Sequence, residues 1–66
     1  MIKVRILELD EEIEVVTKLP KIPQKGDQIG CFFPGDDFRV CNIESIRYYL
    51  SRNGKFDEIE IGVLAC

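Results

Sequence analysis

The stretch Ile46-Arg47-Tyr48-Tyr49-Leu50-Ser51-Arg52-Asn53-Gly54-Lys55-Phe56-Asp57-Glu58-Ile59-Glu60-Ile61 decides the fold of this chain. Asn53-Gly54 is the preferred pair for a two-residue type I′ turn, because both central residues of that turn need positive φ. Pairing Arg52 with Lys55 around it sets Leu50 against Asp57, Tyr48 against Ile59 and Ile46 against Ile61. On the other face Tyr49 meets Glu58 and Arg47 meets Glu60. Apolar residues meet on one side and opposite charges on the other, each pair contributing about 0.2–1 kcal/mol. A slip of one residue would turn the apolar set toward solvent, so the register is tightly specified.

Working back from the hairpin, its first strand extends to Phe38, but its apolar phase changes on the way. Phe38 and Val40 share one parity, Ile43 takes the other, and Ile46, Tyr48 and Leu50 return to the first. The break at Asn42-Ile43-Glu44-Ser45 predicts a bulge or sharp bend, the device that lets one strand serve two sheets. Pro34-Gly35-Asp36-Asp37 is a strong turn signal, and residues 28–33 before it form a strand. If Phe33 faces Phe38, Cys31 faces Val40; one bulged residue sets it opposite Cys41 instead.

Residues 19–27 carry Pro20, Pro23 and Gly26 and read as a loop, with Ile22 plugging the end of the core. At the N-terminus Ile2, Val4 and Ile6 alternate with Lys3 and Arg5. Asp10-Glu11-Glu12 interrupts this pattern before Ile13, Val15 and Thr17 resume it. Residues 2–9 and 12–18 therefore form either a hairpin or one long bent strand. A helix there is disfavoured by the β-branched run from Ile13 to Thr17.

Five short strands, two Pro/Gly loops and a bent fourth strand predict an all-β domain over residues 1–66, a small five-stranded barrel or a strongly bent antiparallel sheet. Closure lets so short a chain bury Ile2, Val4, Ile6, Val15, Ile29, Val40, Ile46, Tyr48, Ile59, Ile61 and Val63 together. At 66 residues, 45% hydrophobic and 32% charged, the composition is globular but the core is marginal. Such a chain has no room for a conventional substrate pocket, which typically needs about 300 Å³ or more.

Composition also limits the chemistry. There is no histidine, which removes the commonest general base and the commonest neutral metal ligand. Cys31, Cys41 and Cys66 form an odd set without a C-x-x-C pair, which argues for reduced thiols rather than a disulfide framework or a zinc site. The acidic runs Asp10–Glu12 and Asp36-Asp37 fall in turns, where carboxylates solvate the chain. The sequence therefore predicts no catalytic residue, no metal and no cofactor. The charged N-terminal alternation lacks a signal-peptide apolar core, and no run approaches the roughly 18 apolar residues of a membrane span. These features predict a cytoplasmic protein with no membrane partner.

Ile22-Pro23-Gln24-Lys25-Gly26-Asp27-Gln28-Ile29, then Phe38-Arg39-Val40, then Ile46-Arg47-Tyr48-Tyr49 resembles the I-P-x-x-G-D-x-I … F-x-V … V-x-Y outline of small phage and mobile-element proteins. The resemblance covers residues 20–63 and implies an SH3-like or similar barrel. Its motif residues are mainly structural, so no catalytic residue is carried over, and the outline does not require the three cysteines. Some phage proteins of this size capture nucleotide signals, which the resemblance brings into consideration.

Binding is the function class that remains. Tyr49, Phe56, Arg52, Lys55 and Arg47 gather around the predicted hairpin tip. Exposed aromatics on a sheet mark protein contact, and a marginal core gains from a second copy. The expected function is a non-enzymatic module acting by protein–protein contact and self-association as a homo-oligomer, with Tyr49 and Phe56 as anchors. One alternative is capture of a small nucleotide-like anion at an oligomer interface. Single-stranded nucleic acid is a second, disfavoured because nine basic residues face twelve acidic ones, net −3.

Overall fold

The computed structural model describes residues 1–66, the side chain of Phe56 excepted. One sheet contains five strands: β1 (Ile2–Glu8), β2 (Ile13–Leu19), β3 (Gln28–Phe33), β4 (Asp37–Leu50) and β5 (Phe56–Ala65). Their order is β2-β1-β5-β4-β3. The edge strands β2 and β3 approach one another without pairing, so the sheet nearly closes into a barrel. Three neighbouring pairs are antiparallel, while β1 and β5 run parallel from Arg5↔Glu60 to Glu8↔Val63. The all-β, five-stranded expectation holds.

The N-terminal segment is a hairpin. β1 and β2 pair from Ile2↔Leu19 to Glu8↔Ile13 around the acidic turn, where Glu12 adopts φ 57°. The phase break in β4 is a register shift between Ile43 and Ser45. It switches parity once, not twice as the sequence predicts. Before it, Cys41 and Ile43 point inward and are buried, while Phe38 and Val40 point outward. Val40 is thus not core. Ile46, beyond the bulge, packs against the core, but Tyr48, although paired with the core residue Ile59, is 51% exposed and is not core.

The β4–β5 register is the predicted one from Ile46↔Ile61 to Tyr49↔Glu58. The tip differs. Gly54 N donates to Ser51 O, Ser51 N donates to Lys55 O, and Gly54 has φ 78° while Asn53 stays at negative φ. This is a three-residue loop with its left-handed residue last, not a type I′ turn. Leu50 consequently pairs with position 56 rather than Asp57, and an irregularity after Tyr49 restores the longer ladder.

The buried apolar core consists of Val4, Ile6, Phe33, Cys41, Ile43, Ile59, Ile61 and Val63. Ile2, Ile13, Val15, Leu19, Ile22, Ile29, Cys31 and Ile46 pack around it, so Ile22 joins the core from its loop.

Candidate functional site

Two arginines organise the charged surface, and each gathers three carboxylates. On the outer face Arg5 lies 3.0 Å from Glu14, 2.8 Å from Glu58 and 3.6 Å from Glu60. Its Nε sits off the line needed to donate to Glu58, so that contact is ionic rather than a directed hydrogen bond. Tyr49 Oη donates to Glu60 Oε2 at 2.9 Å. Glu60 therefore serves Arg5 and Tyr49, and Arg47, its cross-strand neighbour, has no ion pair within 4.0 Å among the described residues.

The second cluster lies at one end of the barrel. Glu8 continues the inward parity of Val4 and Ile6 and is 1% exposed. It accepts N–H bonds from Asp10 (2.8 Å) and Glu11 (3.2 Å), which ties the β1–β2 turn to the core. Arg39 lies 3.5 Å from it, donates to Asp37 (2.8 Å) and Glu11 (3.1 Å), and covers the Phe33 ring at 5.7 Å. Hydrogen bonding to Asp37, then to Glu11, holds the Arg39 guanidinium above its ordinary pKa; for Arg5 the leading cause is the bond to Glu14. Paired in this way, these acids and arginines form a structural lattice, and the acidic turns do more than solvate the chain.

The outer face of the β3–β4 ribbon is different. Its outward positions are Gln28, Gly30 and Phe32 on β3, and Phe38, Val40 and Asn42 on β4. None is charged. Phe32 and Phe38 are cross-strand partners with centroids 5.0 Å apart and planes tilted by 58°, and they are 63% and 54% exposed. The Phe38 ring lies over Gly30, where a Cβ would come within 2.9 Å of Phe38 Cζ. Gln28 Nε2 donates to Asn42 Oδ1 at 3.1 Å and closes the polar end of the face.

The residues predicted from the sequence are distributed otherwise. Arg47 and Tyr49 lie on the exposed end of β4, and Arg52 and Lys55 belong to the exposed tip. The side chain of Phe56 lies outside the described residues. Of the two adjacent aromatics at the end of β3, Phe32 lies on the outer face and Phe33 is buried. The signal for Phe38 and Val40 was their parity, which the double phase switch obscured.

Cys31 opposes Arg39, not Val40 or Cys41, because the loop after β3 has three residues and pairs Phe33 with Asp37. All three thiols are free; Cys31 is half-buried, Cys41 buried and Cys66 exposed. Burial, reinforced by Cys41, raises the Cys31 thiol pKa, and burial followed by the Glu8 charge raises that of Cys41. A thiol raised in the folded state stabilises it fully below the unfolded thiol's pKa, and that contribution is lost as pH rises through the folded value. The denaturation midpoint in reductant is therefore expected to fall above about pH 8.5, and to fall less in Cys31→Ala. A thiol-reactive chromophore at neutral pH should label Cys66 first and Cys41 only on unfolding; equal rates at all three would contradict this account.

Open clefts of about 330–340 Å³ mark the surface, at the size the chain length argued against. One is lined by Lys3, Arg5, Asp57 and Glu58 and mixes both signs of charge. No group of three or more Cys, Asp or Glu residues among the described residues is arranged to hold a metal. No helix is long and apolar enough to cross a membrane. No protein family, curated protein or solved structure matches the chain.

Proposed function

We propose that the chain is a small, non-enzymatic binding module of the phage or mobile-element type, working in the cytoplasm by protein–protein contact and self-association. The carrying observation is the charge-free outer face of β3 and β4, with Phe32, Phe38 and Val40 all exposed. In a chain that is 32% charged, six outward positions without a charge are a departure from the rest of the surface. A partner laid on them has no ion to desolvate, and exposed aromatics anchor such contacts. The ribbon joins the predicted hairpin tip, with Tyr49, Phe56, Arg52, Lys55 and Arg47, as a candidate contact surface, and at the tip the Tyr49 hydroxyl is engaged by Glu60.

Sedimentation velocity across a concentration series tests this reading. The wild type is expected as a dimer or higher oligomer at high micromolar concentration, and Phe32→Lys as a monomer with an unchanged circular dichroism spectrum. A wild-type monomer throughout that range would overturn self-association. Retention of the oligomer in Phe32→Lys would overturn the assignment of the face.

A further inference from the structure

The two free edges of the sheet are built differently. β2 carries Glu14 and Lys18 on its exposed positions, and Glu14 is held by Arg5. β3, Gln28-Ile29-Gly30-Cys31-Phe32-Phe33, has neither a charge nor a proline along its whole length. Natural sheets blunt their edges with such residues, and an unblunted edge accepts another strand. A cleft of about 330 Å³ lies between Val16 and Thr17 of β2 and Gly30, Cys31 and Phe32 of β3, and no ladder joins the two strands.

Backbone alternation identifies the groups on offer. Ile43 N donates to Asp27 O, which starts the β3–β4 ladder on odd positions of β3. Ile29, Cys31 and Phe33 consequently face β4 with their amides and carbonyls, and those of Gln28, Gly30 and Phe32 face away. The loop 20–27 returns to β3 at Gln28 and covers that end, with Pro20, Lys21 and Pro23 lining a cleft against Gln28 and Ile29. Gly30 and Phe32 remain as the accessible pair.

We propose that β3 pairs antiparallel with β3 of a second copy across a two-fold axis, Gly30 opposite Phe32 and Cys31 opposite its own counterpart. This rests on the self-association reading and specifies its geometry. An antiparallel pair of identical strands is self-complementary, as a two-fold interface requires. Copies of net charge −3 repel one another, so a second copy meets the first best where neither presents a charge. The register seats Phe32 of one copy beside Gly30 of the other, already spanned by Phe38, so the four rings join into one cluster. Aromatic cover of an edge glycine is a known stabilising arrangement in sheets. Cys31 then lies at a pair whose side chains approach closely, because its backbone groups point away from the new strand.

Crosslinking of Cys66→Ser by copper–phenanthroline and oxygen, with reaction time extended because burial raises the Cys31 thiol pKa and lowers its thiolate fraction, tests the geometry. Two Cys31 thiols lose two protons and pass two electrons to the oxidant as the S–S bond forms. A disulfide-linked dimer is expected on a non-reducing gel, lost in Cys31→Ser/Cys66→Ser and not restored by adding Phe32→Cys to that pair. A sedimenting dimer without the Cys31 crosslink would overturn the β3 pairing and leave self-association standing. Equal crosslinking through Phe32→Cys would overturn the register. A monomer by sedimentation overturns both readings.

Discussion

Ile61→Ala is expected to lower stability by about 4 kcal/mol, within the range of roughly 2–5 kcal/mol for truncating a buried isoleucine. Ile61 is fully buried on the central strand β5, where it pairs with Ile6 on one side and Ile46 on the other. The cavity therefore opens between two ladders, and neither can collapse into it without losing its own register. A domain of this length holds on the order of 3–10 kcal/mol in total, so the variant should be largely unfolded or nearly so at room temperature. Its melting temperature should drop by about 15–30 °C, read by circular dichroism. A drop of only a few degrees would mean that the barrel repacks and that β5 is not its centre.

Glu8→Ala is expected to cost about 3 kcal/mol. The carboxylate accepts two backbone N–H groups at the β1–β2 turn, and hydrogen bonds to a charged group contribute about 1.5–3 kcal/mol each where solvent cannot replace them. Water will reach part of the opened turn, which keeps the total below the sum. A double-mutant cycle with Arg39→Met separates the ionic contact from the turn. Glu8→Ala should cost less in the Arg39→Met background, because the guanidinium is then no longer left without one of its partners. Full additivity would show that Glu8 acts through the turn alone.

Much of the architecture was legible because β periodicity is binary. Val4 and Ile6 inside, Arg5 outside, and the ladder from Ile46↔Ile61 to Tyr49↔Glu58 follow from alternation and from matching across a turn. The hairpin tip was not legible, since Asn53-Gly54 suits both a two-residue turn and a three-residue loop with glycine last. Nor was the front half of β4. Phe38 and Val40 are as hydrophobic as core residues, and only the pairing with β3 shows that one parity switch suffices. The buried ion pair did leave a trace. The same count that turns Val4 and Ile6 inward turns Glu8 inward, and a buried carboxylate needs a cation. Its partner Arg39 sits 31 positions later in sequence, on a strand whose parity was misassigned, so the two could be joined only in three dimensions. The candidate face was missed for the same reason, because Phe38 and Val40 on β4 take their outward direction from that parity.

The position of β5 between β1 and β4 bears on how the barrel assembles in time. Residues 2–19 and 28–50 make two local units, a hairpin and a ribbon, that share no ladder with each other. The strand that joins them is last in chain order, and its contact with β1 spans about 55 residues, from Arg5 to Glu60. Closing so long a loop before any reward is collected places the barrier late and makes folding slow for a chain of this size, in milliseconds to seconds rather than microseconds. Until β5 docks, β1 and β4 each present an unsatisfied edge, so a nascent or thermally opened chain is most exposed to mispairing along those two strands.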